Sequence, residues 1–291
     1  MIPSARIVKQ LIQDRVDGLT RSERQLAVAL LQDYPMAGLQ SITRLAATAT
    51  VSTPTVIRMV RKLGFDGFPD FQEALRAEVA AQIRKPISKH ERWLADASPG
   101  HALNRFAEVA AANLHHTLER LDPEQFDEAA LLLADTGRHV YVAGGRITRS
   151  NADYLFNHIQ IIRPGVTQLS SSANVWPQYL LDMGPDATLV LFDIRRYEGN
   201  MQRLAELARE RGARIVLFTD QWGSPIGKVA HHVFHAYVEA PSSWDSTVAI
   251  MLIAEALIAE VQKVRWDSSR ERIEDLESMF STTRLFRSPG G

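Results

Sequence analysis

Apolar positions in the first quarter of the chain recur with helical spacing. Thr20-Arg21-Ser22-Glu23 has the spacing of a capping box. Leu26, Ala29 and Leu30 then form one stripe, and Tyr34-Pro35 closes the helix because the residue before proline is driven out of the α region. A second stripe, Ile42, Leu45, Ala46 and Ala49, starts at Ser41. A third, Val56, Met59, Val60 and Leu63, follows Ser52 as N-cap, with Pro54 in the first turn and Gly64 placed to stop the helix. Two short helices joined at Thr50-Val51 predict a helix-turn-helix. On the second of them Thr55, Arg58 and Lys62 share the outward face with Arg61 beside them.

Residues 76–135 keep helical character, with breakable stretches at Lys85-Pro86 and Ser98-Pro99-Gly100. From His139 the period changes. Short β-rich runs at 139–143, 166–169, 187–192 and 214–219 alternate with helical segments at 148–159, 174–183 and 201–211. The run Ala187-Thr188-Leu189-Val190-Leu191-Phe192 has no polar alternation, so it is buried on both faces, as in a parallel α/β sheet. An apolar helix over 248–259 and a polar one over 266–280, striped by Ile273, Leu276 and Phe280, complete the pattern. The terminal stripe needs a cover, and a second subunit is the favoured one.

Composition changes this picture in one place. The chain has 291 residues, 45% of them apolar, and a formal charge of -1. Residues 1–85 hold twelve basic and eight acidic side chains, whereas the remainder holds 21 and 26, so the near-neutral sum hides a basic helical module fused to an acidic one. The absence of cysteine excludes a disulfide scaffold, thiolate zinc sites, iron–sulfur ligation and Cys nucleophiles. The first fifteen residues lack the apolar core of a signal peptide, and the apolar run 248–254 stops at Glu255. No membrane association is expected, and a cytoplasmic location is.

The candidate chemistry is of two kinds. For double-stranded DNA, the small hydroxyl residues Ser52, Thr53 and Thr55 let a helix N-terminus approach a groove, and Arg58 can reach a base edge. Arg44, Arg61 and Lys62 supply backbone contacts. For a small anion, the ends of the parallel strands offer Gly144, Gly145, Arg146 and Thr148, then Ser170, Ser171 and Ser172, then Arg195, Arg196 and Tyr197. A dinucleotide fold is disfavoured because Gly144-Gly145 has no third glycine in register. His231, His232 and His235 have no carboxylate motif beside them and read as structural, so neither a metal nor a cofactor is expected.

Thr20-Arg21-Ser22-Glu23-Arg24, Val51-Ser52-Thr53-Pro54-Thr55-Val56-Ile57-Arg58 and Lys62-Leu63-Gly64-Phe65-Asp66-Gly67-Phe68 together resemble the N-terminal domain of the RpiR (MurR/RpiR) family of bacterial transcriptional regulators. Residues 139–259 resemble the SIS (sugar isomerase) domain that follows it in that family. Tyr141-Val142-Ala143-Gly144-Gly145-Arg146-Ile147-Thr148 matches the first glycine loop, with Thr148 where serine is usual. Thr219-Asp220, Ser224-Pro225 and Ala230 match the fourth-strand turn. The resemblance implies a phosphosugar effector, but Asp193-Ile194-Arg195-Arg196-Tyr197-Glu198-Gly199 stands where a Ser-x-Ser-Gly-x-Thr cradle is usual. A carboxylate-bearing metabolite is an equal expectation.

The expectation is therefore a multidomain chain: an all-α helix-turn-helix bundle over 1–80, a helical linker over 81–125, a three-layer α/β SIS domain with a five-stranded parallel sheet over 126–280, and a tail over 281–291. It regulates transcription of a metabolic operon as a homodimer or tetramer and has no catalytic residues. The alternative is a sugar-phosphate isomerase, for which Glu239 or Asp245 would have to act as base without support from any motif.

Overall fold

The computed structural model describes residues 7–82, 86–95 and 100–284, and the chain divides after Lys85 into two units with separate cores. Of the expected breaks, Lys85 and Ser98-Pro99 lie outside the described residues, as does the tail beyond 284.

The first unit is helical throughout: α1 (Val8–Asp14), α2 (Arg21–Gln32), α3 (Met36–Leu39), α4 (Ile42–Thr48), α5 (Thr53–Lys62) and α6 (Phe68–Gln82). The capping box forms as its spacing dictates, with Glu23 Oε2 accepting from the Thr20 amide at 2.8 Å and Thr20 Oγ1 accepting from the Glu23 amide at 3.4 Å. Leu26, Leu45, Val56, Met59, Val60, Phe71 and Leu75 are at most 1% exposed and make the core. The short helix α3, which periodicity does not reveal, seats closely because Gly38 has no side chain: a Cβ there would fall 2.4 Å from Leu75 Cδ1. Thr50 takes the left-handed conformation (φ 54°) to turn the chain between α4 and α5. Gly64 (φ 94°) ends α5, with the Phe65 amide donating to Val60 O at 3.2 Å. Glu78 on α6 accepts from the Val8 amide and the Tyr34 hydroxyl, which ties both ends of the bundle together; burial pushes its carboxyl above the usual range.

The second unit begins with α7 (Pro86–Ala95), α8 (Ala102–Leu118) and α9 (Pro123–Ala134). Then β1 (His139–Gly144), α10 (Arg149–Ile162), β2 (Val166–Gln168), α11 (Trp176–Asp182), β3 (Ala187–Phe192), α12 (Gly199–Glu210), β4 (Arg214–Asp220) and β5 (His232–Ala236) alternate, and α13 (Val248–Val264) and α14 (Trp266–Thr283) follow. The five strands pair in parallel in the order β2-β1-β3-β4-β5, so a right-handed crossover is needed at each step. Tyr141, Ala143, Leu189, Leu191, Ile215 and Leu217 face α11 and α12 in one apolar layer. The other face of the sheet, reached by Val140, Val142 and Val190, is covered by α8, α9, α10 and α13, completing three layers. Phe192, Phe218 and Phe234 stack across β3, β4 and β5 with centroids 4.4 and 5.2 Å apart. Among the described residues no helix is long and apolar enough to cross a membrane.

Arg163, just past α10, is completely buried, and main-chain oxygens hold its guanidinium. Its guanidinium donates to the main-chain oxygens of Leu133 (2.6 Å), Asp135 (2.8 Å), Pro164 (3.0 Å) and Arg138. Arg265 adds a bond to Ala134 O at 3.0 Å. Two arginines thus cap the C-terminus of α9, where unpaired carbonyls and the negative end of the helix dipole favour cations. The stripe Ile273, Leu276 and Phe280 on α14 is half-buried beside α10, so its own domain supplies part of the cover that the pattern assigns to a second subunit.

Candidate functional site

In the first unit, α5 presents Ser52, Arg58, Arg61 and Lys62 to solvent, and Arg44 on α4 is exposed as well; Thr53 is half-buried. Two positions differ from the sequence expectation. Thr55 is 5% exposed rather than outward, because it lies on the same side as Val56 and Met59 once Pro54 sets the first turn. Its hydroxyl sits 2.9 Å from Ser52 Oγ and accepts from Arg58 Nη2 at 3.0 Å, so Ser52 spends its hydroxyl on Thr55 instead of capping an amide. The chain Ser52, Thr55, Arg58 aims the guanidinium along the helix N-terminus, where a phosphate or base edge competes for it.

Lys62 is the second difference. Its ammonium lies 2.7 Å from Glu23 Oε2, which bolts the end of α5 to the capping box of α2. Burial alone would raise the Glu23 carboxyl. The hydrogen bonds from Lys62 and from the Thr20 amide and hydroxyl outweigh it and hold the group below its usual value. Sequence spacing shows Lys62 on the outer face but not the acid across the bundle that takes it.

In the second unit, the strand order reverses direction between β1 and β3, the position where a crevice opens at the carboxyl ends of a doubly wound sheet. The loop after β1 is shaped by two glycines. A Cβ on Gly144 would lie 2.5 Å from the Thr148 carbonyl oxygen, so only glycine lets the loop close onto its strand. Thr148 is buried, with Oγ1 accepting from the Gly145 amide at 3.0 Å and donating to Phe192 O at 2.6 Å, which welds the loop to β3. The Arg146 amide donates to Glu198 Oε1 at 2.6 Å, and a Cβ on Gly145 would fall 2.9 Å from that same oxygen. A carboxylate of the chain itself therefore occupies the backbone seat that the glycine loop offers to an anion. At the end of β2, Ser171 and Ser172 are exposed, and Ser170 Oγ accepts from the Ser172 amide at 3.2 Å.

The paired cations of the loop after β3 divide. Arg196 is exposed and held in the left-handed region (φ 65°), and Arg146, after the neighbouring strand β1, is exposed as well. Arg195 points inward: its side chain is 3% exposed, 4.1 Å over the ring of Trp222, and paired with Asp245 at 3.3 Å and Glu239 at 3.4 Å. The two acids that the isomerase alternative would use as bases are thus partners of a buried cation. Tyr197 is half-buried and donates its hydroxyl to Asp220 at 2.8 Å, and Asp220 also accepts the amides of Arg195, Trp222 and Gly223. Asp193 accepts from the Ser224 hydroxyl and the Glu198 amide; burial pushes its carboxyl up to about 6 against those bonds. Asp193, Asp220, Trp222 and Glu198 hold this loop in shape, and spacing does not reveal their role because the bonds Asp193–Ser224, Asp220–Tyr197 and Glu198–Arg146 join positions 23 or more apart.

The three histidines have separate duties. His231 Nδ1 meets the Ile215 amide at 2.9 Å, His232 lies 3.7 Å from Glu128, and His235 lies 3.0 Å from Asp220 O.

Comparison with known proteins places a helix-turn-helix domain of the rpiR family at residues 7–82 and a SIS domain at residues 132–260. The chain is 29% identical over 227 residues to the HTH-type transcriptional regulator HexR of Pseudomonas aeruginosa, covering 75% of each chain. It is 24% identical over 221 residues to the HTH-type transcriptional regulator RpiR of Escherichia coli, covering 75% of this chain and 72% of that one. Among solved structures, the sugar isomerase domain of an RpiR transcription factor from Sphaerobacter thermophilus aligns with a TM-score of 0.57 at 21% identity, over 60% of this chain and 96% of that one. The Vibrio vulnificus NanR protein complexed with ManNAc-6P aligns with a TM-score of 0.55 at 16% identity, over 95% of this chain and 98% of that one.

Proposed function

For a chain that belongs with the RpiR-type regulators, joining an rpiR-family helix-turn-helix domain to a SIS domain, we propose operator binding through α5 and control by a small anionic metabolite held at the switch point of the sheet. The observation that carries this reading is that Arg146 and Arg196 are both exposed in the loops that leave the adjacent strands β1 and β3, where doubly wound sheets take their ligands. Arginine forks at that place suit a phosphate or carboxylate. The exposed hydroxyls of Ser171 and Ser172 lie at the next strand end and suit the polar remainder of a sugar phosphate. Glu198 sets the threshold: an incoming anion must displace it from the Arg146 amide or bind beside it.

On the DNA side, Arg58 reads a base edge and Ser52, Thr53, Arg44 and Arg61 grip phosphates, with Thr55 and Lys62 positioning the helix. The protein acts in the cytoplasm as a homodimer, which a two-fold operator requires. The pairing of Glu239 and Asp245 with Arg195 favours a binding domain over an isomerase. An effector works by binding one arrangement of the dimer more tightly than another.

Enrichment of bound sequences from a random duplex pool by the full chain tests this. The expected result is a two-fold symmetric site whose affinity changes on adding N-acetylmannosamine 6-phosphate, glucose 6-phosphate or citrate. Enrichment of no sequence, or isomerase turnover of a sugar phosphate, overturns the reading.

A further inference from the structure

Arg195 is held by two acids, and one of them has a second cation. Asp245 Oδ2 lies 3.3 Å from Arg195 Nε, while Asp245 Oδ1 lies 2.7 Å from Lys89 Nζ. The side chains of Arg195, Asp245 and Lys89 are 3%, 15% and 7% exposed. Ions this deeply placed are little screened by solvent or salt, so a change of charge at one is felt by the next.

The two ends of this row have different addresses. Arg195 belongs to the loop that leaves β3 at the switch point, next to the exposed Arg196. Lys89 belongs to α7, the helix with which the second unit begins and by which the chain arrives from the helix-turn-helix unit. Asp245 lies between them in the loop that leads into α13.

We propose that Lys89, Asp245 and Arg195 form a relay through which an anion in the crevice fastens α7 to the SIS domain. The proposal rests on the reading of the crevice as an effector site. An anion near the β3 loop attracts the Arg195 guanidinium and weakens its hold on Asp245, which leaves more of that carboxylate to Lys89. It also adds negative potential at a place where Lys89 is already stripped of water. Both effects favour the docked position of α7. Linkage makes the coupling reciprocal, so docking of α7 strengthens anion binding by the factor by which the anion favours docking. Because α7 is the first helix after the DNA-binding unit, its fastening is where effector occupancy reaches the path of the chain between the two.

Hydrogen–deuterium exchange of the full chain, read by mass spectrometry, tests the relay in two arms. In the first, Lys89→Met speeds exchange about tenfold over α7 and slows it over the loop 193–198, because Asp245 is left to Arg195, while β3 stays protected and reports that the fold is intact. Asp245→Asn, which keeps the shape and removes the middle charge, loosens both segments, and Lys89→Arg leaves both as in the wild type. Loosening of α7 with the loop 193–198 unchanged in Lys89→Met and Asp245→Asn overturns the proposal. In the second arm N-acetylmannosamine 6-phosphate, glucose 6-phosphate and citrate are added singly to the wild type. An anion that protects 144–149 and slows exchange over α7 supports the relay, and one that protects 144–149 alone overturns it. Failure of all three to protect 144–149 counts against the effector reading, and the relay is then decided by the first arm.

Discussion

The guanidinium of Arg195 lies 4.1 Å from the centre of the Trp222 ring, so the two side chains of successive strand-end loops pack as a single unit. Its neighbour Arg196 faces solvent. Adjacent arginines of the same loop thus have opposite tasks. Arg195→Ala takes one of its two cations from the largely buried Asp245, and a partner from the half-exposed Glu239, and is expected to destabilise the second unit by about 3 kcal/mol. Arg196→Ala is expected to leave the melting temperature unchanged and to weaken binding of an anionic effector about tenfold. Thermal denaturation and calorimetric titration of both variants distinguish these roles, and equal melting losses in the two would refute the assignment.

On α5 the same contrast separates reading from bracing. Arg58→Ala is expected to abolish preference for the selected operator. Arg61→Ala weakens binding to all sequences alike and lowers the salt slope by about 1. Lys62→Ala also costs the first unit about 1 kcal/mol, because Glu23 is left buried with its carboxylate held by Thr20 alone. Fluorescence anisotropy across a salt series, with urea unfolding alongside, is the measurement. A Lys62→Ala protein of unaltered stability counts against the brace.

Arg163→Met removes a cation that serves the oxygens of Leu133, Asp135, Pro164 and Arg138. Leaving these carbonyls without a donor is expected to cost about 3 kcal/mol. Arg163→Lys should recover only a fraction, since a point-like ammonium cannot span oxygens on four residues. Chemical denaturation of the three proteins checks the order wild type, Lys, Met.

Asp193 gives the second unit a pH dependence of known sign. Burial raises its folded-state value to about 6, so between about pH 4 and pH 6 the native protein binds this proton and the unfolded chain does not. The stabilisation from this proton is complete below the unfolded value and is lost as pH rises through the folded one. The stability difference between Asp193→Asn and wild type therefore shifts toward the variant from about pH 4 to about pH 7, on the order of 2 kcal/mol. Urea unfolding at both ends of that range measures it, and a pH-independent difference excludes it.

The elements that sequence discloses best are those whose partners are local. The stripe Val56, Met59, Val60 and Leu63, the capping box at Thr20 and the uninterrupted run of β3 are patterns of neighbours, and all three appear in the structure as spacing demands. The strand alternation likewise leads to a parallel sheet and to four of its five strands, β1 to β4. The direction of a polar side chain is another matter. Thr55 and Ser52 satisfy each other because their hydroxyls meet on one turn, and no spacing rule says whether a hydroxyl prefers an amide or a second hydroxyl. Arg195 and Arg196 are chemically identical in the sequence, yet the first is buried and the second, at φ 65°, is exposed. Lys89 finds Asp245 across 156 positions, a distance at which composition carries no information.

Phe192, Phe218 and Phe234 form an aromatic row across β3, β4 and β5 at the start of the loop 193–198. That row is built from strands, whereas the candidate anion-binding groups Arg146, Ser171, Ser172 and Arg196 all stand in loops. Substitutions in those loops are therefore expected to change what can bind at this edge of the sheet while the folding core is left intact.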